Sequence, residues 1–265
     1  MPDPSPGPSD RSPRSGANSG AAQGTYPIAS SGNPSGQATV EPASDASSRN
    51  LRRVGVFGGS FDPVHLGHLH VAETAQAARG LERVMFLPAA QAPHKTEQAR
   101  ASGADRCAML ELALRGHPDW RVDPLELERP GPSYTIDSLR LVRARWGLHP
   151  DARLFLLLGS DNLRGFARWK SIEELLLLAE PVVVARERDL RSVIETLRRE
   201  APPEIAARIE RALIACEPLE VASTDIRDAF SRGELPRESL PASVAEYIAA
   251  RGIYGSRRRG APPQG

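Results

Sequence analysis

Short apolar runs separated by stretches of helical periodicity mark the chain between residues 54 and 184. Val54, Val56 and Phe57 form the first run, residues 84–87 the second, residues 154–158 the most apolar one, and residues 181–184 the last. Runs rich in β-branched and aromatic residues suit buried strands, and a run apolar throughout suits a central strand covered on both faces. Residues 120–122 and the alternating Leu125-Glu126-Leu127 add two short strand candidates. The first two runs lie about thirty residues apart, the size of a βαβ unit, which predicts parallel pairing.

Helical patterns fill the intervals. Leu66, Leu69, Ala72 and Ala75 recur every three residues and draw an apolar stripe. Ser102 reads as the N-cap of a helix running through Arg106, Met109, Leu110 and Leu114, closed by Gly116 and Pro118. A further helix starts near Thr135 and carries Leu139 and Val142, and a closing helix bears Val244, Tyr247 and Ile248 before Gly252. Alternating strands and helices over residues 51–255 predict one α/β domain.

Composition changes the picture at the ends. Residues 1–50 hold neither Leu nor Phe, and Met1, Tyr26, Ile28 and Val40 are their only large apolar side chains. Such a Ser-, Gly- and Pro-rich stretch buries too little surface to offset its ordering entropy, so it is expected to be a disordered tail, as is the basic stretch 256–265. A net charge of +1 argues against a dedicated nucleic-acid binder, and no apolar run approaches membrane length. With two cysteines, Cys107 and Cys216, and no secretory signal, the expected setting is reducing and cytoplasmic. Cys107 is expected to fill core space as a small apolar group.

The candidate chemistry gathers after the first run. Gly58 and Gly59 are expected to end the strand in a tight turn that lets an anionic group approach backbone N–H groups. Asp62 and Pro63 are turn formers, and His65 and His68, three apart, are expected to share a face beside the positive end of the next helix. This makes an anion site. Reading the histidines as metal ligands would need a third partner, for which Asp62 is the only nearby candidate. The run at 154–158 delivers Asp161 to the same sheet edge, since ligands collect at the carboxyl ends of parallel strands. Pro132, Ser133, Tyr134 and Thr135 open a helix whose N–H groups suit a carboxylate or phosphate, though capping alone would also explain them. Ser223 and Thr224 are expected to cap another helix, with the Arg227 guanidinium one turn inside it and able to grip phosphate oxygens.

Gly58-Gly59-Ser60-Phe61-Asp62-Pro63-Val64-His65-Leu66-Gly67-His68 resembles the signature of the H/T-x-G-H nucleotidyltransferases and, within them, of the bacterial nicotinate-mononucleotide adenylyltransferases. Further motifs extend the resemblance from Arg53 to Tyr254: Pro93-His94-Lys95, Pro132-Ser133-Tyr134-Thr135, Gly159-Ser160-Asp161, Phe166-Ala167-Arg168-Trp169-Lys170, and Ala222-Ser223-Thr224-Asp225-Ile226-Arg227. The last departs from the family pattern, with Ala222 where a serine is usual. The resemblance implies a Rossmann-like doubly wound parallel sheet of about five or six strands and transfer of AMP from ATP to nicotinate mononucleotide. It implies His65 and His68 as catalytic residues, and Gly58, Gly59, Ser60, Phe61, Lys95, Ser223, Thr224 and Arg227 at the ATP phosphates. His94, Ser133, Tyr134, Thr135, Asp161 and Trp169 would hold nicotinate mononucleotide, Trp169 by stacking on the pyridine ring unless it is a plain core aromatic. Mg2+ is expected to accompany ATP. Nicotinamide mononucleotide and phosphopantetheine are the rival acceptors, a non-catalytic nucleotide-binding protein is the rival class, and homo-oligomerisation is left open.

Overall fold

The computed structural model describes residues 50–91, 99–185, 190–217 and 219–255. Residues 1–49 and 256–265 of the expected tails, together with His94 and Lys95, lie outside these. The strands are β1 (Arg53–Gly59), β2 (Arg83–Pro88), β3 (Trp120–Val122), β4 (Arg153–Gly159), β5 (Ala179–Val184) and β6 (Leu213–Ile214). They form one six-stranded sheet in the order β3-β2-β1-β4-β5-β6, with every pairing parallel. The helices are α1 (Leu66–Arg79), α2 (Gly103–Ala113), α3 (Thr135–Arg145), α4 (Ile172–Leu178), α5 (Leu190–Glu200), α6 (Pro203–Arg211), α7 (Ser223–Ser231) and α8 (Ala242–Arg251). This is a Rossmann-like α/β fold with an all-parallel sheet, within the five or six strands that the resemblance implies. The strand order reverses between β1 and β4, which opens a crevice at their carboxyl ends.

Alternate strand residues feed two cores, one on each face of the sheet. Val54, Val56, Leu154, Leu156 and Leu158 pack with Leu139 and Val142 of α3, Leu197 of α5 and Ile209 of α6. Phe57, Phe86, Phe155 and Leu157 pack on the other face with Ala72 of α1, Met109 of α2, Phe230 of α7 and Ile248 of α8. Burial on both faces is why β4 is apolar throughout rather than alternating. At Gly55 a Cβ would stand 2.9 Å from Leu81 Cδ1 and 3.0 Å from Leu157 Cδ1, so the middle of β1 has no room for a side chain.

Two local expectations are corrected. Leu125-Glu126-Leu127 is a turn, not a strand. Asp123 Oδ1 accepts the Leu125 N–H at 3.0 Å, and the Pro124 carbonyl accepts the Leu127 and Glu128 N–H groups at 2.8 and 3.1 Å. These local bonds compete with a sheet ladder for the same donors. Gly58 and Gly59 do not make the turn either: both stay in β1, paired with Leu87 and Pro88, and the left-handed residue is Phe61 at φ 47°. Ser102 does cap α2, its hydroxyl accepting the Asp105 N–H at 3.0 Å.

Candidate active site

The crevice at the β1/β4 switch point is a cleft of about 120 Å³. Gly58 and Gly59 line it from the end of β1 with Ser60 just beyond, Leu156 and Leu158 from β4, Ser133 and Thr135 from the start of α3, and Asn162 and Trp169 from the segment after β4. Gly58 is exposed, and a Cβ there would meet nothing within 4 Å, so the absence of a side chain keeps the strand edge bare to whatever fills the cleft. At Gly59 a Cβ would stand 3.0 Å from the Phe61 ring.

The two histidines stand at the start of α1. His65 is its N-cap, just outside the helix rather than within the first turn, in an extended conformation (φ −147°). Its N–H donates to His68 Nδ1 at 3.3 Å, and the ring centroids are 3.7 Å apart. With Nδ1 accepting, a neutral His68 carries its proton on Nε2, where it can donate to an oxyanion. His65 is buried and His68 half-buried against the Phe61 ring at 5.0 Å. The first turn of α1 contains no acidic residue, so nothing in it neutralises the positive helix end.

Asp62 ties this turn to three distant segments. Its carboxylate accepts the Arg100 and Ala101 N–H groups at 2.8 and 3.0 Å and the Tyr254 hydroxyl at 2.6 Å. Burial, then the Asp62 partnership, raise the Tyr254 phenol well above its ordinary range, so it stays a donor. The Asp62 carbonyl accepts Arg227 Nη1 at 2.9 Å. These bonds occupy the carboxylate, and among the described residues no cluster of three His, Cys, Asp or Glu could hold a metal ion.

On α7 the expected capping is corrected. Ala222 is the N-cap and offers no side-chain bond; Ser223 is already helical, and its hydroxyl donates to the Pro63 carbonyl at 3.1 Å. Thr224 Oγ1 accepts Arg227 Nη2 at 3.2 Å. Ser223, Thr224 and Arg227 therefore gather against the Asp62-Pro63 turn beside the histidines.

The residues expected to contact ligand thus fall into two groups. Gly58, Gly59, Ser60, Ser133, Thr135 and Trp169 line the cleft. His65, His68, Ser223 and Arg227 sit around the α1 terminus, and Phe61 is buried beneath them. Tyr134 caps α3 and lies under Lys170, whose Nζ is 4.4 Å from the ring centroid. Asp161 is exposed, and Asn162 lines the cleft instead.

Sequence reading missed two buried charges at this edge. Glu126 lines the cleft from the turn mistaken for a strand. Arg106, 3% exposed, donates through Nη1 to the carbonyls of Ser60 (2.7 Å) and Ala89 (2.8 Å), clipping together the loops that leave β1 and β2. Burial lowers its pKa, with nearby Asp62 opposing. A signal existed, since Arg106 falls on the same helical stripe as Met109, Leu110 and Ala113. Cys107, one residue along, has its thiol pushed up to about 11 by burial and is chemically quiet.

The cytidylyltransferase-like family profile matches residues 56–229. A protein of Thermomicrobium roseum named a probable nicotinate-nucleotide adenylyltransferase is 39% identical over 207 residues, 77% of this chain and 92% of its own length. A protein of the same name from Bordetella petrii is 39% identical over 209 residues, 77% of this chain and 100% of its own length. Among solved structures, the Plasmodium falciparum nicotinic acid mononucleotide adenylyltransferase complexed with NaAD shares the fold. It superposes with a TM-score of 0.59 at 17% identity, over 78% of this chain and 98% of its own. Matched by these relatives over about three quarters of its length, the chain belongs to the nicotinate-nucleotide adenylyltransferase family of cytidylyltransferase-like enzymes.

Proposed function

We propose that this enzyme transfers AMP from ATP to nicotinate mononucleotide, forming nicotinate adenine dinucleotide and pyrophosphate. The observation that carries this reading is that the bare strand end, Gly58 to Ser60, lines the cleft and leads within a few residues into the histidine-bearing start of α1. A 5′-phosphate oxygen of nicotinate mononucleotide attacks the α-phosphorus of ATP in line, and the bond to the pyrophosphate oxygen breaks. No side chain forms a covalent intermediate, so the protein acts by positioning and by stabilising charge.

His65 and His68 hold the triphosphate and stabilise the charge that develops on it, with the α1 dipole behind them. Ser223, Thr224 and Arg227 hold the outer phosphates from α7, together with Lys95; Arg227 would exchange part of its bonding to the Asp62 carbonyl for phosphate oxygens. Ser60 and the peptide edge of Gly58 and Gly59 let the reacting phosphates lie close to β1. Trp169 stacks on the pyridine ring, and the start of α3 at Ser133, Tyr134 and Thr135 receives the pyridine carboxylate, with His94 and Asp161 on the acceptor nucleotide. A divalent cation, magnesium in this reading, arrives on ATP as part of the substrate and neutralises phosphate charge without a protein cage.

The test is pyrophosphate release by the full chain with ATP and magnesium, comparing nicotinate mononucleotide, nicotinamide mononucleotide and phosphopantetheine at equal concentration. The reading requires a strong preference for the first. Preference for either of the others would keep the phosphate chemistry and overturn the acceptor.

A further inference from the structure

Glu126 is a 5% exposed carboxylate on the wall of the cleft, in the turn after β3 whose neighbouring Leu125 packs into the core with Ile136 and Leu139 of α3. Its Oε1 accepts the Ser138 hydroxyl at 2.6 Å, and the nearby Ser133 hydroxyl favours its charged form. These two serines bracket the first turn of α3: Ser133 precedes the N-cap Tyr134, and Ser138 is the fourth residue of the helix. The cleft-lining Thr135 lies between them. Ser133 also spans to the loop after β2, its hydroxyl accepting the Ala90 N–H at 3.0 Å and its own N–H donating to the Gln91 carbonyl at 2.9 Å. A hydroxyl offers one proton and two lone pairs, so Ser133 can donate to Glu126 and accept from Ala90 at once.

Tyr134 makes no side-chain capping bond. The α3 start is held by the core packing of Ile136 and Leu139 and, on its polar side, by the Ser138 bond to Glu126 and the Ser133 bonds to the loop after β2. Around Glu126, Arg129 attracts the charged form and Asp123 repels it, while burial raises the carboxyl above its usual range. Its hold on α3 rests on accepting hydroxyl protons more than on an ion pair.

We propose that Glu126 is the positioning residue of the acceptor site, fixing the first turn of α3 through Ser133 and Ser138 so that it meets the pyridine carboxylate of the acceptor nucleotide. This rests on the acceptor assignment above. The ATP side, built on α1 and α7, shares none of these bonds, so the proposal separates the two substrates.

Steady-state kinetics on the full chain test it, using wild type, Glu126→Gln, Glu126→Ala and Ser138→Ala, with KM measured for nicotinate mononucleotide and for ATP. Glu126→Ala should raise the acceptor KM about tenfold or more, the scale of an unsatisfied buried hydrogen-bond group, while the ATP KM stays within about twofold. Glu126→Gln keeps an oxygen that accepts hydroxyl protons and should recover most of the loss; Ser138→Ala should move the acceptor KM in the same direction by less. If Glu126→Ala does not fold, the Gln and Ser138 variants still decide. Equal rises in both KM values, or a lowered melting temperature with both KM values unchanged, would overturn the proposal in favour of a purely structural carboxylate. Failure of the wild type itself to use nicotinate mononucleotide would instead overturn the acceptor assignment on which the proposal stands.

Discussion

On the α1 side of the carboxyl edge one residue, Asp62, ties distant segments to a single turn, whereas on the α3 side a cleft is walled by five different segments. Asp62 alone binds Arg100, Ala101, Arg227 and Tyr254. The cleft opposite draws its walls from β1, β4, the turn at Glu126, the α3 start and Trp169. Phosphate chemistry tolerates little displacement of its donors, since a misplacement of about 1 Å can cost a hundredfold, and a cross-tied turn suits it. A flat ring needs a wall and a carboxylate needs N–H groups, and separate segments can supply both.

The largest effect that would break this comparison is on the α1 side. His68→Ala should lower turnover by about a hundredfold to a thousandfold, the scale of one transition-state donor, with acceptor KM little changed; near-normal turnover in a stopped assay would remove the histidine from the mechanism. On the cleft side, Trp169→Ala should raise acceptor KM about tenfold, from lost stacking and burial together, leaving ATP KM unaltered. An equal change in both would mean that Trp169 is a core aromatic packed on Phe166, whose ring centroid is 5.0 Å away.

Two glycines of β1 sharpen the contrast within a single strand. Gly55→Ala places a Cβ against Leu81 and Leu157 and should cost about 1–3 kcal/mol of stability by overpacking. Gly58→Ala meets open space, so thermal unfolding should be unchanged while kcat/KM falls as the methyl enters the cleft. Tyr254→Phe leaves buried Asp62 short of one donor and should cost about 1–3 kcal/mol in denaturant unfolding; no loss would show that the backbone N–H bonds of Arg100 and Ala101 suffice. The smallest effect is a gain: Ala222→Ser restores a side-chain N-cap to α7 and should add about 1 kcal/mol, read as a rise of about 2–4 °C in melting temperature.

Much of this was legible along the chain because strand and helix periodicities are local, and the strands carry theirs plainly. Val54 to Phe57 and residues 154–158 are apolar because both faces of each strand are covered, so β1 and β4 were readable from composition alone. The histidine pair and the α3 start were equally visible, as short motifs at the ends of regular elements. The Glu126 turn was misread because Leu-Glu-Leu alternates as a strand does; what keeps it out of the sheet is Asp123 and Pro124 capturing its N–H groups. The α7 cap was misread because a serine beside an alanine makes the stronger cap in isolation, whereas here the Ser223 hydroxyl is taken by Pro63, 160 residues away.

The sequence by itself determined most of the elements, the parallel sheet and the residue types available at its edge, since these follow from propensity and pattern over a few turns; the turn at Glu126 and the short β6 did not. The tertiary structure alone decided which of those residues meet. Asp62 with Tyr254, Arg106 with Ser60 and Ala89, and Glu126 with the α3 start are pairings between segments far apart along the chain or in different conformations. Their energy appears only when burial removes water from a polar group and leaves it one partner to find.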